Sequence, residues 1–164
     1  MTTVDAPAPV EIRPADGCVD WPELLALLRR AFAFMEGRID PPSSLGRLDA
    51  DGLAAKARAQ RCFLAFRGAR LAGCVFCQPR SDCLYLGKVA VDPDLQGQGI
   101  GRALLARAEA EARALGLPAL ELQTRIELVE NHRAFARLGF LRVGETAHAG
   151  YDRPTSTTMR KALG

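Results

Sequence analysis

Apolar residues follow two rhythms along this chain. In "DWPELLALLRRAFAFM" (20–35), Leu24, Leu27, Leu28, Ala31 and Phe32 recur at the spacing that lines one face of a helix. Asp20 is placed to cap that helix, and Pro22 falls in its first turn, where a missing N–H costs nothing. The loop "EGRIDPPSSLG" (36–46) follows, because its prolines and serines cannot continue a helix. A second, weaker helical pattern covers 47–60. Then the rhythm changes. "CFLAFRG" (62–68), "ARLAGCVFCQP" (69–79) and "CLYLGKVAV" (83–91) predict three consecutive strands, the first two a hairpin turning near Arg67 and Gly68. A helix is expected from about Ile100 to Leu115, stopped by Gly116. A buried strand at 119–124 comes next, then a short helix within 130–140, with Asn131 as a plausible cap and Gly139 as its end. Residues 141–163 predict two strands around a turn near Gly150.

With "VEIRPA" (10–15) as a first strand, the order is β-α-α-β-β-β-α-β-α-β-β. The strand–helix–strand unit at 83–124 implies one parallel pair, and the hairpins imply antiparallel neighbours. The expected fold class is α/β: a mixed sheet with helices on both faces. Residues 10–164 make one domain and residues 1–9 a flexible tail.

Composition narrows the function. The 164 residues carry 25% charged side chains and a net charge of +3. That suits an anionic small ligand and falls far short of a nucleic-acid footprint. No signal peptide is evident at the N-terminus, and no apolar run approaches the roughly 18 residues of a membrane span, so a cytoplasmic location is expected. Five cysteines, an odd number, argue against a disulfide framework. Cys74 and Cys77 are three apart on an expected strand, so their side chains point to opposite faces. They read as small buried apolar residues rather than as half of a metal site, and no metal is expected.

The chemistry concentrates in "VAVDPDLQGQGIGRALL" (89–105), which runs from a strand through a turn into a helix. A P-loop needs Lys and Ser or Thr after its last glycine, but Arg102 and Ala103 follow Gly101. A dinucleotide fingerprint needs a third glycine where Arg102 stands. The pattern Q-x-x-G-x-G is met by Gln96, Gly99 and Gly101. A helix N-terminus leaves N–H groups unpaired and carries partial positive charge, and a pyrophosphate satisfies both. Side chains at positions 97, 99 and 101 would block its approach, and Arg102 adds a full charge.

This run resembles the acetyl-CoA signature of the GNAT (GCN5-related N-acetyltransferase) superfamily. The element order from 10 to 163 and the late segment of Asn131, Phe135 and Leu138-Gly139-Phe140 also match that family. The resemblance implies an acyl-CoA N-acyltransferase fold with splayed central strands, and acetyl-CoA as cofactor. It implies acetyl transfer to a primary amine of a small molecule by direct attack. A protein lysine or N-terminus as acceptor, and a non-catalytic acyl-CoA-binding module, stay open. Val89, Ala90 and Val91 should face the pantetheine arm, and Gln96, Gly97, Gln98, Gly99, Ile100, Gly101 and Arg102 the pyrophosphate. Asn131 would lie near the arm or simply cap its helix, and Phe135 would pack beside the arm. Many members are dimers, so a homodimer is possible.

The resemblance breaks at the proton. Phe135 occupies the place of a tyrosine that in relatives protonates the leaving thiolate. Tyr85 occupies the place of a glutamate that in histone-type relatives acts as base. Tyr85 and Tyr151 are therefore the catalytic candidates, Tyr85 serving as an acid or only packing. Glu36, Arg38 and Asp40 in one variable loop, and Asp152 in another, are the candidates for the acceptor site. "GRIDPPSS" and "GYDRPTS" both set an arginine beside an aspartate, so either could pair with a carboxylate and amine of the acceptor.

Overall fold

The computed structural model describes residues 8–164, so the expected tail lies outside the described residues except for 8 and 9. Seven strands form one sheet in the order β1-β2-β3-β4-β5-β7-β6. They are β1 (Val10–Pro14), β2 (Arg61–Arg67), β3 (Arg70–Pro79), β4 (Leu84–Val91), β5 (Ala119–Arg125), β6 (Leu141–Thr146) and β7 (Ser156–Ala162). The helices are α1 (Trp21–Phe32), α2 (Ala50–Ala59), α3 (Ile100–Ala114) and α4 (Val129–Arg137). The element order is the one the hydrophobic pattern predicts.

Two apolar layers sandwich the sheet. Leu104, Leu105 and Ala108 of α3 pack on Val75, Cys77, Leu84 and Leu120, with Phe135 of α4 alongside. Leu24, Leu27 and Leu28 of α1 and Leu53 of α2 pack on Leu64, Cys74 and Phe76 from the other side. Cys74 and Cys77 thus lie in opposite layers, as a spacing of three on a strand requires. Burial pushes the Cys62 and Cys77 thiols up to about 12 and Cys74 well above its usual value, so all three stay protonated and inert at neutral pH.

Element ends follow local chemistry. The Asp20 carboxylate accepts from the Glu23 N–H at 3.0 Å and starts α1. That helix ends at Phe32, earlier than the pattern suggests, and Ala33–Met35 tighten into a 3₁₀ turn. α2 begins later than expected because Asp49 caps it through the Gly52 N–H, while Ser44–Arg47 form a separate 3₁₀ turn. α3 closes in a Schellman motif: Gly116 has φ +71 and the Leu117 N–H reaches the Ala112 carbonyl.

Two departures shape the site. The first is α4, which begins after Leu128 with no side-chain cap, so Asn131 is inside the first turn and is not the N-cap. Buried Leu128 fixes the start instead; its carbonyl accepts from the N–H groups of Asn131 and His132. The second is a nine-residue loop, 147–155, where a turn near Gly150 was expected.

The junction between β4 and α3 is pinned by an ionic cluster. Asp92 is 1% exposed. It caps a 3₁₀ turn through the Asp94 N–H and accepts from Arg30 at 3.0 Å and Arg70 at 2.9 Å. Burial alone would raise its pKa, but the Asp94 N–H and the guanidinium groups of Arg70 and Arg30 outweigh burial and bring it below the usual carboxylate value. A carboxylate with a lowered native pKa stabilises the fold above its unfolded pKa of about 3.9, and that contribution is lost as pH falls through the native value. Asp92→Asn should cost about 2 kcal/mol in urea denaturation at neutral pH. The difference from wild type should shrink below about pH 4; a difference independent of pH would exclude this origin.

Candidate active site

The sheet opens where the glycine motif sits. β4 and β5 pair in parallel only at Leu84, Tyr85 and Leu86 against Leu120, Glu121 and Leu122. Beyond them the strands diverge. On its other side β4 carries a bulge: Cys74 pairs with Ala90 and Phe76 with Gly87, which leaves Lys88 and Val89 opposite Val75. Lys88 takes φ +47, a left-handed conformation rare for a side-chain-bearing residue. Gly73 permits the close approach here, since a Cβ at that position would lie 2.5 Å from the Ala90 carbonyl oxygen. The bulge re-aims the backbone of residues 88–91 at the edge that β5 leaves free.

A groove of about 350 Å³ runs from that edge to the start of α3. Every residue expected to hold the cofactor lines it except Gln98. The Gln98 side-chain oxygen instead accepts from the Arg67 guanidinium on the outer side of the loop. Gly99, at φ +83, turns the chain into α3 without a side-chain cap. The first helical bond is donated by Ala103 to the Gly99 carbonyl, so the N–H groups of Ile100, Gly101 and Arg102 have no helical acceptor. A Cβ at position 97 or 99 would meet nothing within 4 Å, so these glycines border open space. That is a cradle for an anion, built of backbone donors and helix dipole with Arg102 at its rim.

The groove continues into a second chamber of about 330 Å³. Phe32, Val89, Asn131 and Phe135 line both. Asn131 therefore stands at the junction of the two cavities, inside the first turn of α4 rather than at its cap. Phe135 packs edge-on against Phe140, with ring centroids 5.7 Å apart.

The acceptor candidates fare differently. Tyr85 lines the second chamber, with the Arg80 guanidinium 3.8 Å from its ring centre. Burial raises the Tyr85 pKa and Arg80 only partly opposes it, so the phenol stays protonated. Tyr151 does not line the chamber. Its hydroxyl donates to Asp40 at 2.6 Å, which raises its pKa. Arg153 holds the other Asp40 oxygen at 2.9 Å, and the Asp40 N–H donates to Glu127. Arg38 pairs with Glu130 at 2.5 Å. The charges of the two loops thus neutralise one another, and neither Arg38 nor Arg153 is left to read an acceptor. Glu36 lines a neighbouring apolar cavity of about 460 Å³, reached past Phe32, Met35, Ser43 and Leu45. Asp152 is exposed and lines no described cavity.

The chamber instead gathers Lys88, Arg125 and His148, none of them a candidate from the sequence. The Thr155 hydroxyl oxygen accepts from the His148 N–H at 2.9 Å and lies against the His148 Nδ1. That hydroxyl has its own proton to give to the Thr146 carbonyl, 3.4 Å away. In the tautomer with the ring proton on Nδ1, that nitrogen donates to Thr155 and the Nε2 lone pair is free. Burial lowers the His148 pKa from 6.5, and the charge of Arg125 lowers it further. The ring is therefore neutral at pH 7.

A model of the acetyltransferase (GNAT) family matches residues 21–140. Among solved structures, the chain is similar to the ribosomal-protein-S18-alanine N-acetyltransferase from Escherichia coli, with 24% identity, 94% of each chain covered and a TM-score of 0.72. It is also similar to a PaiA N-acetyltransferase from Thermoplasma acidophilum in complex with coenzyme A, with 16% identity, coverage of 94% and 99%, and a TM-score of 0.79. A third likeness is to an Elizabethkingia anophelis GNAT family acetyltransferase with acetyl-CoA bound, with 18% identity, coverage of 94% and 98%, and a TM-score of 0.66. Curated protein sequences gave no match.

Proposed function

The chain belongs to the acetyltransferase (GNAT) family, and from that premise we propose that it transfers acetyl from acetyl-CoA to a primary amine of a small molecule. One observation carries the reading: the anion cradle and the polar chamber are a single cleft, joined at Val89, Asn131 and Phe135. The cradle offers the unpaired N–H donors and helix dipole that a pyrophosphate satisfies, and the splayed edge of β4 offers unpaired backbone for an amide-bearing arm. Acetyl-CoA supplies the activated acetyl group.

This chain's residues supply the rest. The N–H groups of Ile100, Gly101 and Arg102 hold the phosphates. The backbone beyond the bulge at Lys88 and Val89 presents an N–H to the thioester oxygen, a fixed donor where negative charge grows. His148, neutral with Nε2 free, takes the proton of the attacking amine. Tyr85, held protonated by burial, is the phenol available to give one. Tyr151 closes one acceptor loop on the other through Asp40 and does not touch the proton. A volume of about 330 Å³ favours a small molecule over a peptide strand, which needs an open groove.

The test is thiol release from acetyl-CoA with a panel of primary amines, the acetylated product being identified by its mass. Amine-dependent release is expected. Tight acetyl-CoA binding with no amine accelerating release would replace the enzyme with a binding module.

A further inference from the structure

The acceptor chamber has a one-sided charge. Lys88, Arg125 and His148 line it, and no aspartate or glutamate does. Of the nearby acids, Asp40 binds Tyr151 and Arg153, and Glu130 binds Arg38. Glu127 accepts from the Asp40 N–H through one oxygen, while its other oxygen is buried without a partner and its charge acts on Arg125 and His148 from outside the chamber.

Arg125 feels the charges of Glu127 and Asp40 but bonds to no carboxylate among the described residues. It ends β5, and the loop after it is fixed by the Ile126 N–H donating to the Thr155 carbonyl. Its Nη2 reaches the Pro42 carbonyl at 3.4 Å, a long contact. Its Nη1 is buried with no acceptor. A buried donor left unpaired is costly, and a guanidinium fork matches a carboxylate. Burial lowers the Arg125 pKa, yet the group remains a cation at neutral pH. Lys88 is half-buried and forms no ion pair among the described residues.

Resting on the N-acetyltransferase reading, we propose that the acceptor bears a carboxylate beside its amine, that is, a small amino acid. Arg125 reads that carboxylate through Nη1, and Lys88 adds a second positive charge. The amine then faces the neutral His148 in the same chamber. The acceptor's carboxylate offsets the positive charge of the wall, to which a simple alkylamine would only add.

Four arms in the thiol-release assay test this: free amino acids, their amides, the amines left when the carboxylate is removed, and the matching aminophosphonates. The amino acids should have the highest kcat/KM. Arg125→Gln should raise their KM about tenfold or more while leaving the acetyl-CoA KM unchanged, and should erase the preference for acid over amide. Arg125→Lys, which keeps the charge and loses the fork, should recover part of it. A wild type that uses amides, amines or phosphonates as well as the acids overturns the inference. So does Arg125→Gln with the preference intact. Thiol release in none of the arms, with acetyl-CoA still bound, sinks the transferase reading itself.

Discussion

Gly101→Val should weaken acetyl-CoA binding about 100-fold or more, measured by calorimetric titration, while the protein stays folded. Gly101 is at the second helical position of α3, and a Cβ there meets only Val91 Cγ2 at 3.6 Å, an ordinary contact. Its φ is not positive, so a side chain brings no left-handed strain. The fold therefore loses nothing in helix propensity, because glycine is the poorer helix former of the two. The two methyl groups of valine instead fill the groove in front of the N–H groups of residues 100–102. Losing two charge-assisted bonds at about 1.5 kcal/mol each gives about 3 kcal/mol, hence the 100-fold. Gly101→Ala, smaller by those methyls, should lose less. Equal affinity in wild type and Gly101→Val would exclude the cradle as the phosphate site.

The cofactor half of the cleft was legible because its parts are contiguous. A strand, a turn and a helix start are built by neighbours in sequence, and Gly97, Gly99 and Gly101 mark the backbone that must stay bare. Of the residues expected to hold the cofactor, Gln98 alone does not line the groove, and its partner Arg67 lies on another strand. The acceptor half is assembled differently. Arg125 ends β5 and His148 follows β6, and they meet because β7 threads between those strands in the sheet. Nothing local to "QTRIE" or "ETAHAG" says so. Asp40 and Tyr151 looked like chemistry because both fall in expected acceptor loops. They bond each other instead, a pairing across 111 residues that no spacing reveals. Lys88 did leave a trace. A glycine and a lysine interrupt an otherwise apolar strand, the mark of a bulge. Asn131 is left open between cap and arm because its residue type favours a cap, and buried Leu128 overrides that preference.

His148→Gln should lower kcat by about 100- to 1,000-fold and remove the acid limb of the pH–rate profile. In the wild type, burial and the Arg125 charge hold the His148 pKa below 6.5. The ring is therefore a competent base at pH 7, and kcat/KM should fall only as pH drops through that lowered value and the imidazole takes a proton. The direction matters. A histidine stabilised in its charged form would already be protonated at pH 7 and would lose activity as pH falls from above it, whereas this one keeps its base until pH drops below the ordinary histidine value. The acceptor's own ammonium supplies a separate limb at higher pH, common to wild type and variant, which serves as the internal control. Glutamine keeps a polar group beside Thr155, so loss of packing alone does not account for the effect. A merely structural role for His148 would lower the rate at every pH and leave the acid limb in place. That outcome would return the proton to Tyr85 or to solvent. Arg125→Gln gives a cross-check through the same group: without the guanidinium the His148 pKa should rise, and the acid limb should move to higher pH.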